Sequence, residues 1–476
     1  MDHSRQPGGA ARVPLADRGI LIPLGLAAIL YLILITDIGF LLPPSVAGRD
    51  FILNSMLDHL LRGRMDVDPA IVGQEGFTRE GRVYAYWGVL PALLRLPFAW
   101  LPGWQQINFT PWYCAAAVTL GLWAKLWTLR LIAADYAALP RWLIRTVVVA
   151  LILSGAQIAF LRASIYQEVC FWAAAFAALF VAGAVHGVLR GFTRATLTVM
   201  ALACAAALLT RVSVAVGLFA AFGMLALLHL WRSRSDLPGY MRSHVPAAAI
   251  LLVAIIATAL INHARWGDPL TFADYSLYNF NITYPDRLDR TVRYGLFNIE
   301  RLPFGLVYYF LPFWAVTGAD GQLLLSGMRD RLIDAVELPP SSFFLTDPLL
   351  LILAVPGVAA LAAQRARQWP FRAEATLALL GLAAAPLLML TAISMNFRYR
   401  MDFYALIEFA AFLGLIALAG VQWIHTARAR RWLIGATVTG ILGSLVTMLL
   451  YKLGDFGPAQ LLLRNGLIEY YAKLLS

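Results

Sequence analysis

Apolar stretches of about 20 residues recur along almost the entire chain, and this recurrence restricts the fold more than any other feature. A helix needs about 20 predominantly apolar residues to cross the hydrocarbon core of a bilayer. Hydrophobic residues make up 60% of the sequence and charged residues 14%, whereas a soluble protein has about 45–50% and about 25%. Strands of a membrane barrel would alternate in polarity, so uninterrupted stretches indicate helices. We therefore predict an all-α, polytopic membrane helix bundle.

The apolar stretches define eleven predicted spans, at residues 19–43, 111–133, 144–162, 167–189, 195–210, 212–231, 245–263, 346–364, 375–394, 403–424 and 432–452. Arginines collect in alternate loops between these spans, for example Arg141, Arg190, Arg232 and Arg365. Cytoplasmic loops carry such an excess, so we place these loops and the N-terminus inside. The net charge of +11 then reflects orientation in the membrane and gives no reason to expect nucleic-acid binding.

Two long segments, residues 44–110 and 265–345, interrupt the single membrane domain of residues 1–476. Both fall on the extracytoplasmic side in this topology. Both are rich in Trp, Tyr, Phe and Leu, which argues against disorder. Loops of this length in a compact architecture usually have a function.

Each long loop is expected to contain a helix at the membrane interface. Between Leu53 and Leu61 the apolar residues recur at helical spacing and predict an amphipathic helix lying along the interface. The stretch from Leu302 to Val316 is short for a crossing and predicts a re-entrant or surface helix. If it crossed the membrane instead, every later loop would change sides.

Ionisable residues stand at the outer boundaries of the predicted spans. Asp50 follows the first span, Glu168 lies in the turn between the third and fourth spans, and Arg398, Arg400 and Asp402 precede the tenth span. Charged groups at a bilayer boundary lose hydration, so their presence usually indicates a function that involves charge. Because all five share the outer side, we expect them to meet at one site.

The two acids outside the arginine cluster each allow a functional and a structural interpretation. Asp50 is suited to accept a proton from an incoming hydroxyl as a general base. It would equally suit a solvated loop or the N-cap of the helix that follows it. Glu168 is a candidate second acid at the same site, or a structural partner of Arg162.

The arginine cluster is the candidate anion site. Guanidinium groups match the oxygens of phosphate, so Arg398 and Arg400 are candidates for binding a charged leaving group. They would also suit anchoring to lipid headgroups. Two arginines and the carboxylate of Asp402 within five residues exceed what anchoring needs, so we favour ligand binding.

Aromatic residues and cysteines give weaker signals. Tyr84 and Tyr86 could line a sugar pocket or belong to the aromatic belt of the membrane interface. Cys114, Cys170 and Cys204 lie in or beside apolar spans without the spacing of metal ligands, so we expect small core residues. The sequence indicates no metal site, although it leaves a divalent cation open.

Several motifs carry a resemblance to a known superfamily. They are Asp50 near the start of the first outer loop, Gly81-Arg-Val-Tyr84-Ala-Tyr86-Trp87-Gly-Val-Leu-Pro91, Leu209-Thr-Arg211, Ala264-Arg265-Trp266-Gly267-Asp268-Pro269-Leu270 and Phe397-Arg-Tyr-Arg400-Met-Asp402-Phe403-Tyr404. In this order the chain resembles the GT-C superfamily of membrane glycosyltransferases, and it is similar to the branch of protein O-mannosyltransferases and aminoarabinose transferases.

The resemblance implies a function and a set of partners. It implies an inverting transfer of a sugar from a polyprenyl-phosphate-linked donor to a hydroxyl of a glycan, lipid or protein. The expected location is a bacterial inner membrane, with the active site facing the periplasm or the cell exterior.

The resemblance also implies roles for individual residues. Asp50 alone would be the catalytic base, while Arg398 and Arg400 would bind the donor phosphate. Beside these roles, our own hypothesis is that Glu168 orients the substrate or assists. The expected substrate contacts are Tyr84, Tyr86, Arg265 and Asp402.

Two other classes of function remain open from the sequence. A transporter or flippase for an anionic lipid-linked substrate would also use charged outer residues. Transporters usually need ionisable groups near the membrane midplane, and these are scarce here apart from Glu408 and the near-boundary Arg211. A noncatalytic membrane scaffold is the third class.

Overall fold

Helices form at all eleven predicted spans. In the computed structural model, which describes residues 13–36, 48–311, 332, 341–363 and 371–453, each predicted span overlaps an α-helix. Residues 37–43 of the first predicted span lie outside the described residues. The α-helices are, in chain order, α1 Arg18–Ile35, α2 Ile52–Leu61, α3 Pro69–Val72, α4 Leu90–Leu93, α5 Thr110–Asp135, α6 Arg141–Leu153, α7 Ile165–Arg190, α8 Arg194–Leu208, α9 Val212–Arg232, α10 Leu237–Trp266, α11 Asn279–Thr283, α12 Pro285–Tyr294, α13 Leu302–Phe310, α14 Phe343–Thr346, α15 Pro348–Ala362, α16 Arg372–Leu382, α17 Ala384–Leu390, α18 Tyr404–Leu418 and α19 Ala427–Leu453.

Eight helical segments within the described residues are long and apolar enough to cross a bilayer, which confirms a multi-pass helical membrane protein. They are α1, α5, α7, α9, α10, the segment Arg372–Leu390 formed by α16 and α17, the segment Phe397–Leu418 that includes α18, and α19 up to Lys452. The other three predicted spans correspond to α6, α8 and α15, which have 13, 15 and 15 residues. These three helices are shorter than a usual crossing of about 20 residues, so eight of the eleven predicted spans have full crossing length within the described residues.

Small residues allow the bundle helices to approach closely. A Cβ atom on Gly414 of α18 would lie 1.8 Å from the carbonyl oxygen of Leu353 in α15. A Cβ atom on Gly357 of α15 would lie 2.1 Å from the carbonyl oxygen of Ala410. Lipid provides no hydrophobic drive between helices, so close van der Waals contact of this kind holds them together.

The bundle has two distinct ends. Asp17, just before α1, forms an ion pair with Arg130 near the end of α5 at 3.1 Å, and Arg190 at the end of α7 pairs with Asp135 at 2.7 Å. We call the end with these pairs the opposite end. The other end, which we call the loop end, carries the described parts of both long loops and the turn at residues 209–211.

The helix predicted between Leu53 and Leu61 exists as α2, and its apolar face packs against protein. Leu53, Met56 and Leu57 are buried. They pack within the protein against other residues of the same loop, including Trp87 and Trp104. The amphipathic pattern of α2 is therefore matched by packing against the protein interior.

A short β-hairpin interrupts the helical architecture in the first loop. Strands β1 Phe77–Arg79 and β2 Arg82–Tyr84 are antiparallel, with Phe77 opposite Tyr84. Glu80 and Gly81 between them have φ angles of 52° and 75°, as a tight two-residue turn requires. Phe77 also forms a bridge to Tyr278 of the second loop, so the hairpin joins the two loops.

The described part of the predicted surface stretch in the second loop is α13, with 9 residues. A helix of this length cannot cross the hydrocarbon core. Residues 312–316, including Val316, lie outside the described residues. Within α13, Tyr308 and Tyr309 are buried in the main core of the bundle.

Candidate functional site

Asp50 is buried at the loop end. It belongs to a short 3₁₀ turn, Gly48–Phe51, that leads into α2, and it is only 1% exposed. The residue at the N-cap of α2 is Phe51, which makes no side-chain capping bond. Asp50 is therefore neither a solvated loop acid nor a helix cap, and both structural interpretations of this residue are wrong.

A buried ion pair lies directly beside Asp50. Arg95 Nη2 is 2.6 Å from Glu168 Oε2, and both side chains are fully buried. The same Arg95 nitrogen also donates to Thr110 Oγ1 at 3.3 Å, and the Thr110 hydroxyl donates to the backbone carbonyl of Asp50 at 3.2 Å. The structure thus brings Asp50 and Glu168 together through Arg95 and Thr110.

The partner of Glu168 differs from the one considered in the sequence. Arg162 does not form the pair; its guanidinium lies 5.8 Å from the centre of the Tyr451 ring. The partner is Arg95, which sequence reasoning missed. The available signal was an isolated arginine within an otherwise apolar stretch of the first loop, because a charge in such surroundings usually has a buried partner.

Tyr166, at the start of α7, connects Arg49 to Arg398. Its hydroxyl donates to Glu75 Oε1 at 2.7 Å and accepts from Arg49 Nη1 at 3.3 Å. The guanidinium carbon of Arg398 lies 4.4 Å from the centre of the Tyr166 ring, within the range of a cation–π interaction. The residue next to Asp50 and the first arginine of the downstream cluster therefore meet on one aromatic side chain.

The downstream cluster forms a 3₁₀ helix, Phe397–Phe403, and this geometry separates its two arginines. In a 3₁₀ helix residues three apart share a face. Phe397, Arg400 and Phe403 accordingly form one buried face. Arg398 stands on another face, so the structure does not bring Arg398 and Arg400 together as predicted.

Arg400 faces the bundle core instead of the Tyr166 side. Its side chain is fully buried and lies 3.3 Å from Asp347 Oδ2. It also donates to the Thr346 hydroxyl, and its guanidinium carbon is 4.2 Å from the centre of the Phe343 ring. In this position Arg400 is committed to contacts within the protein.

Asp402 binds an arginine that the sequence interpretation gave no role at the site. Arg211 Nη2 lies 2.9 Å from Asp402 Oδ2, Arg211 Nε donates to the same carboxylate, and the Ser213 hydroxyl donates to Asp402 Oδ1. The carboxylate of Asp402 is fully buried, whereas Arg211 keeps 17% exposure. Asp402 therefore holds Arg211 in place. The signal was present in the Leu209-Thr-Arg211 step.

Arg211 and Arg398 approach the same aromatic ring. Their guanidinium carbons lie 4.8 Å and 5.3 Å from the centre of the Tyr399 ring. Burial opposes the charge of Arg211, but Asp402 outweighs it and raises the pKa of Arg211 above its ordinary value. Burial likewise opposes the charge of Arg49, and Tyr166 and Glu75 outweigh it and raise the pKa of Arg49. Arg49 and Arg211 therefore remain cationic.

The remaining predicted substrate contacts lie in the packing that supports this site. Tyr84 is buried against Trp266, with ring centres 6.2 Å apart. Tyr86 is half-buried and stacks on Trp87, with ring centres 4.3 Å apart. Arg265 is buried and donates to the backbone carbonyl of Trp87 at 2.9 Å. Of these three predicted residues, Tyr86 is therefore the one that keeps accessible surface.

Glycine at position 88 allows the first loop to pack directly on the turn at residues 209–211, which contains Arg211. A Cβ atom there would lie 2.2 Å from the carbonyl oxygen of Leu209. That carbonyl also accepts a hydrogen bond from the Leu90 N–H at 2.9 Å. Close backbone approach of this kind requires the absence of a side chain.

A metal would need a cluster of acidic, histidine or cysteine ligands. Within the parts of the chain that the structure describes, no group of three or more such residues is placed to hold a metal ion. The buried Cys114, Cys170 and Cys204 are consistent with the expected core role.

Comparison with known proteins gives a result at the level of the fold. No protein-family model matches the chain, and no curated protein matches it. The archaeal oligosaccharyltransferase AglB from Archaeoglobus fulgidus, in complex with an inhibitory peptide and a dolichol-phosphate, is similar with a TM-score of 0.51 and 12% identity, over 93% of this chain and 56% of that chain. The oligosaccharyltransferase of the same organism in the apo form is similar with a TM-score of 0.52 and 13% identity, over 92% and 56%.

The chain thus spans about 56% of the length of these oligosaccharyltransferase chains. At such low identity the similarity concerns the fold and gives no residue-level correspondence. The protein is an integral membrane protein whose multi-pass helical fold is similar to that of these archaeal oligosaccharyltransferases.

Proposed function

We propose that the protein is a membrane glycosyltransferase that moves a sugar from a polyprenyl-phosphate-linked donor to a hydroxyl acceptor on the extracytoplasmic face. The observation that carries this proposal is the meeting of the Asp50 turn with Arg398 at Tyr166. An acid and a cation that come from distant parts of the chain are what a transfer from a phosphate donor needs at one site.

Asp50 is the general base of the proposed reaction. It would accept the proton of the acceptor hydroxyl as that oxygen attacks the anomeric carbon, while the bond from that carbon to the phosphate oxygen breaks. The single displacement inverts the anomeric centre. In the neighbouring ion pair both side chains, Arg95 and Glu168, are fully buried, so we assign Glu168 a supporting role in which it keeps Arg95 and Thr110 in place beside Asp50.

Arg398 and Arg211 bind the donor phosphate in this mechanism. Negative charge grows on the departing phosphate, and guanidinium groups stabilise such charge. The convergence of both arginines on Tyr399 supports this assignment. The core contacts of Arg400 make it a poor phosphate ligand, so Arg211 takes the role that the sequence interpretation gave to Arg400.

The proposed partners are a polyprenyl-phosphate sugar, an acceptor glycan, lipid or protein, and the surrounding bilayer. The similar archaeal enzyme was captured with a dolichol-phosphate and an inhibitory peptide, which supports a lipid-phosphate donor here. We further propose a bacterial inner membrane with the loop end facing the periplasm or cell exterior. The arginine-rich loops at the opposite end support this orientation.

A transporter or flippase for an anionic lipid-linked substrate is the second candidate. Lys125 Nζ lies 2.5 Å from Glu408 Oε1, and both side chains are nearly fully buried within predicted spans. Ionisable groups inside a membrane protein often mark a transport pathway. This pair is the specific observation in favour of the second candidate.

Proteoliposomes containing the purified protein would separate the candidates. The donor would be a polyprenyl-phosphate sugar with a radioactive sugar, offered on the side of the loop end together with a membrane extract as acceptor. A transferase converts the label into glycosylated product, and we expect this result. Movement of intact donor across the bilayer without product would support the flippase and overturn the transferase.

A further inference from the structure

We propose that the buried ion pair of Arg400 and Asp347 is a positioning device that sets the orientation of the 3₁₀ helix Phe397–Phe403. Through that helix the pair would hold Arg398 against Tyr166 and Asp402 against Arg211. The inference rests on the proposed function, because Arg400 would support the donor site from behind the 3₁₀ helix and would not contact the donor itself. Arg400 thus becomes a positioning residue.

The inner face of the 3₁₀ helix is fixed by close packing. The ring of Phe397 stacks on that of Phe160, with ring centres 4.6 Å apart. The ring centres of Phe403 and Phe343 lie 5.4 Å apart. Between these aromatic residues, Arg400 is fully buried. The three residues share one face because residues three apart are eclipsed in a 3₁₀ helix.

Asp347 is held in place from several directions. Its Oδ2 atom accepts hydrogen bonds from Tyr404 Oη at 2.8 Å and from Thr346 Oγ1 at 2.5 Å. A Cβ atom at position 155 would lie 1.8 Å from Asp347 Oδ1, so Gly155 leaves the space that this carboxylate occupies. A carboxylate fixed in this way defines where the guanidinium of Arg400 must lie.

A long 3₁₀ helix needs such an external constraint. Runs of more than three or four residues are uncommon because the hydrogen-bond geometry is poor, and this helix has 7 residues. Rotation of the helix about its axis would move Arg398 away from Tyr166 and Asp402 away from Arg211. A buried ion pair is seldom a large source of stability, whereas its fixed geometry prevents that rotation.

Stability and positioning can be separated with a neutral replacement. In the double variant Asp347→Asn/Arg400→Gln, the asparagine oxygen can still accept from Tyr404 and the glutamine amide can still donate. The single variant Arg400→Gln leaves the Asp347 charge buried without its partner, which is strongly destabilising. We therefore expect a lower melting temperature in detergent for the single variant and recovery in the double variant.

The kinetic readout tests the positioning role. We expect the double variant to raise KM for the polyprenyl-phosphate sugar by about 10- to 100-fold, since small misplacement of a positioning group has effects of this size. KM for the acceptor should not change. A double variant with the wild-type donor KM would overturn the proposal.

A matched control uses the other buried ion pair. The double variant Lys125→Gln/Glu408→Gln removes the same charges from a pair that also lies beside Tyr404. Its donor KM should stay at the wild-type value. An equal rise in both double variants would overturn the proposal, because the effect would then follow from any loss of buried charge.

Hydrogen–deuterium exchange of the peptide covering residues 397–403 gives a readout that does not depend on activity. We expect faster exchange in Asp347→Asn/Arg400→Gln than in wild type and in the control. Unchanged exchange would overturn the positioning role. If wild-type protein transfers no sugar, the proposed function fails, and the exchange measurement still decides whether the pair orients the helix.

Discussion

The two ends of the bundle differ in the burial of their most deeply buried ion pairs. At the loop end, the side chains of Arg95 with Glu168 and of Arg400 with Asp347 have 0% exposure. At the opposite end, Arg130 and Arg232 keep 47% and 42% exposure in their pairs with Asp17 and Glu374. The loop end therefore contains fully buried ion pairs besides half-exposed ones such as Arg49 with Glu75, whereas Arg130 and Arg232 at the opposite end stay in contact with the surroundings.

This difference agrees with the site proposed at the loop end. Removal of both charges of a pair from water has a desolvation cost that their attraction offsets only with good geometry. Half-exposed arginines at helix ends avoid most of that cost and suffice to orient the chain in the membrane. Fully buried pairs beside Asp50 and Arg398 are unnecessary for orientation, so their presence is best explained by a site that needs fixed charges.

The largest effect should come from neutralising the acid at the loop end. Asp50→Asn keeps the size of the side chain but cannot accept the acceptor proton, and a general base typically contributes about 10²–10⁴ in rate. We expect a folded protein whose kcat falls by this factor in the donor assay. The matched change at the opposite end, Asp135→Asn, should retain wild-type turnover. Wild-type turnover by Asp50→Asn would remove Asp50 from the mechanism.

The second effect compares stability at the two ends. Arg95→Met leaves the Glu168 charge buried without its partner, which should lower the free energy of unfolding by about 3–5 kcal/mol. Arg130→Met breaks the pair with Asp17, in which the arginine keeps 47% exposure, and should cost much less, because a half-exposed ion pair contributes little to stability. Unfolding by titration with a denaturing detergent measures both values. Equal losses would show that the contrast between the ends has no energetic meaning.

The sequence predicted the helices well because spans depend on length and polarity alone. The alternation of arginine-rich loops likewise predicted which helix ends lie together. The sequence also indicated that Asp50 and Arg398 share one end, since this follows from the count of crossings between them. These predictions needed no knowledge of packing between helices.

The sequence was insufficient where three-dimensional packing decides. The pattern from Leu53 to Leu61 fits lipid and protein interior equally well, and the fold packs that face against residues of the first loop and of α7. The pairing of Arg398 with Arg400 was inferred from their closeness in the sequence alone. A 3₁₀ helix turns them apart, and the partnership of Arg211 with Asp402 spans 191 residues.

The smallest effect tests the connection that brings the two parts of the loop end together. Tyr166→Phe keeps the ring that faces Arg398 but removes the hydroxyl that bonds to Glu75 and Arg49. A single hydrogen bond contributes about 0.5–1.5 kcal/mol, so we expect kcat/KM for the donor to fall by about two- to tenfold. The matched variant Tyr31→Phe removes a hydroxyl that donates to the Ile152 carbonyl elsewhere in the bundle, and it should leave kcat/KM unchanged.

Tyr166→Ala should reduce kcat/KM further than Tyr166→Phe, since it also removes the ring. If the two Tyr166 variants were equally impaired, the cation–π contact with Arg398 would have no part in joining the Asp50 turn to the downstream arginines.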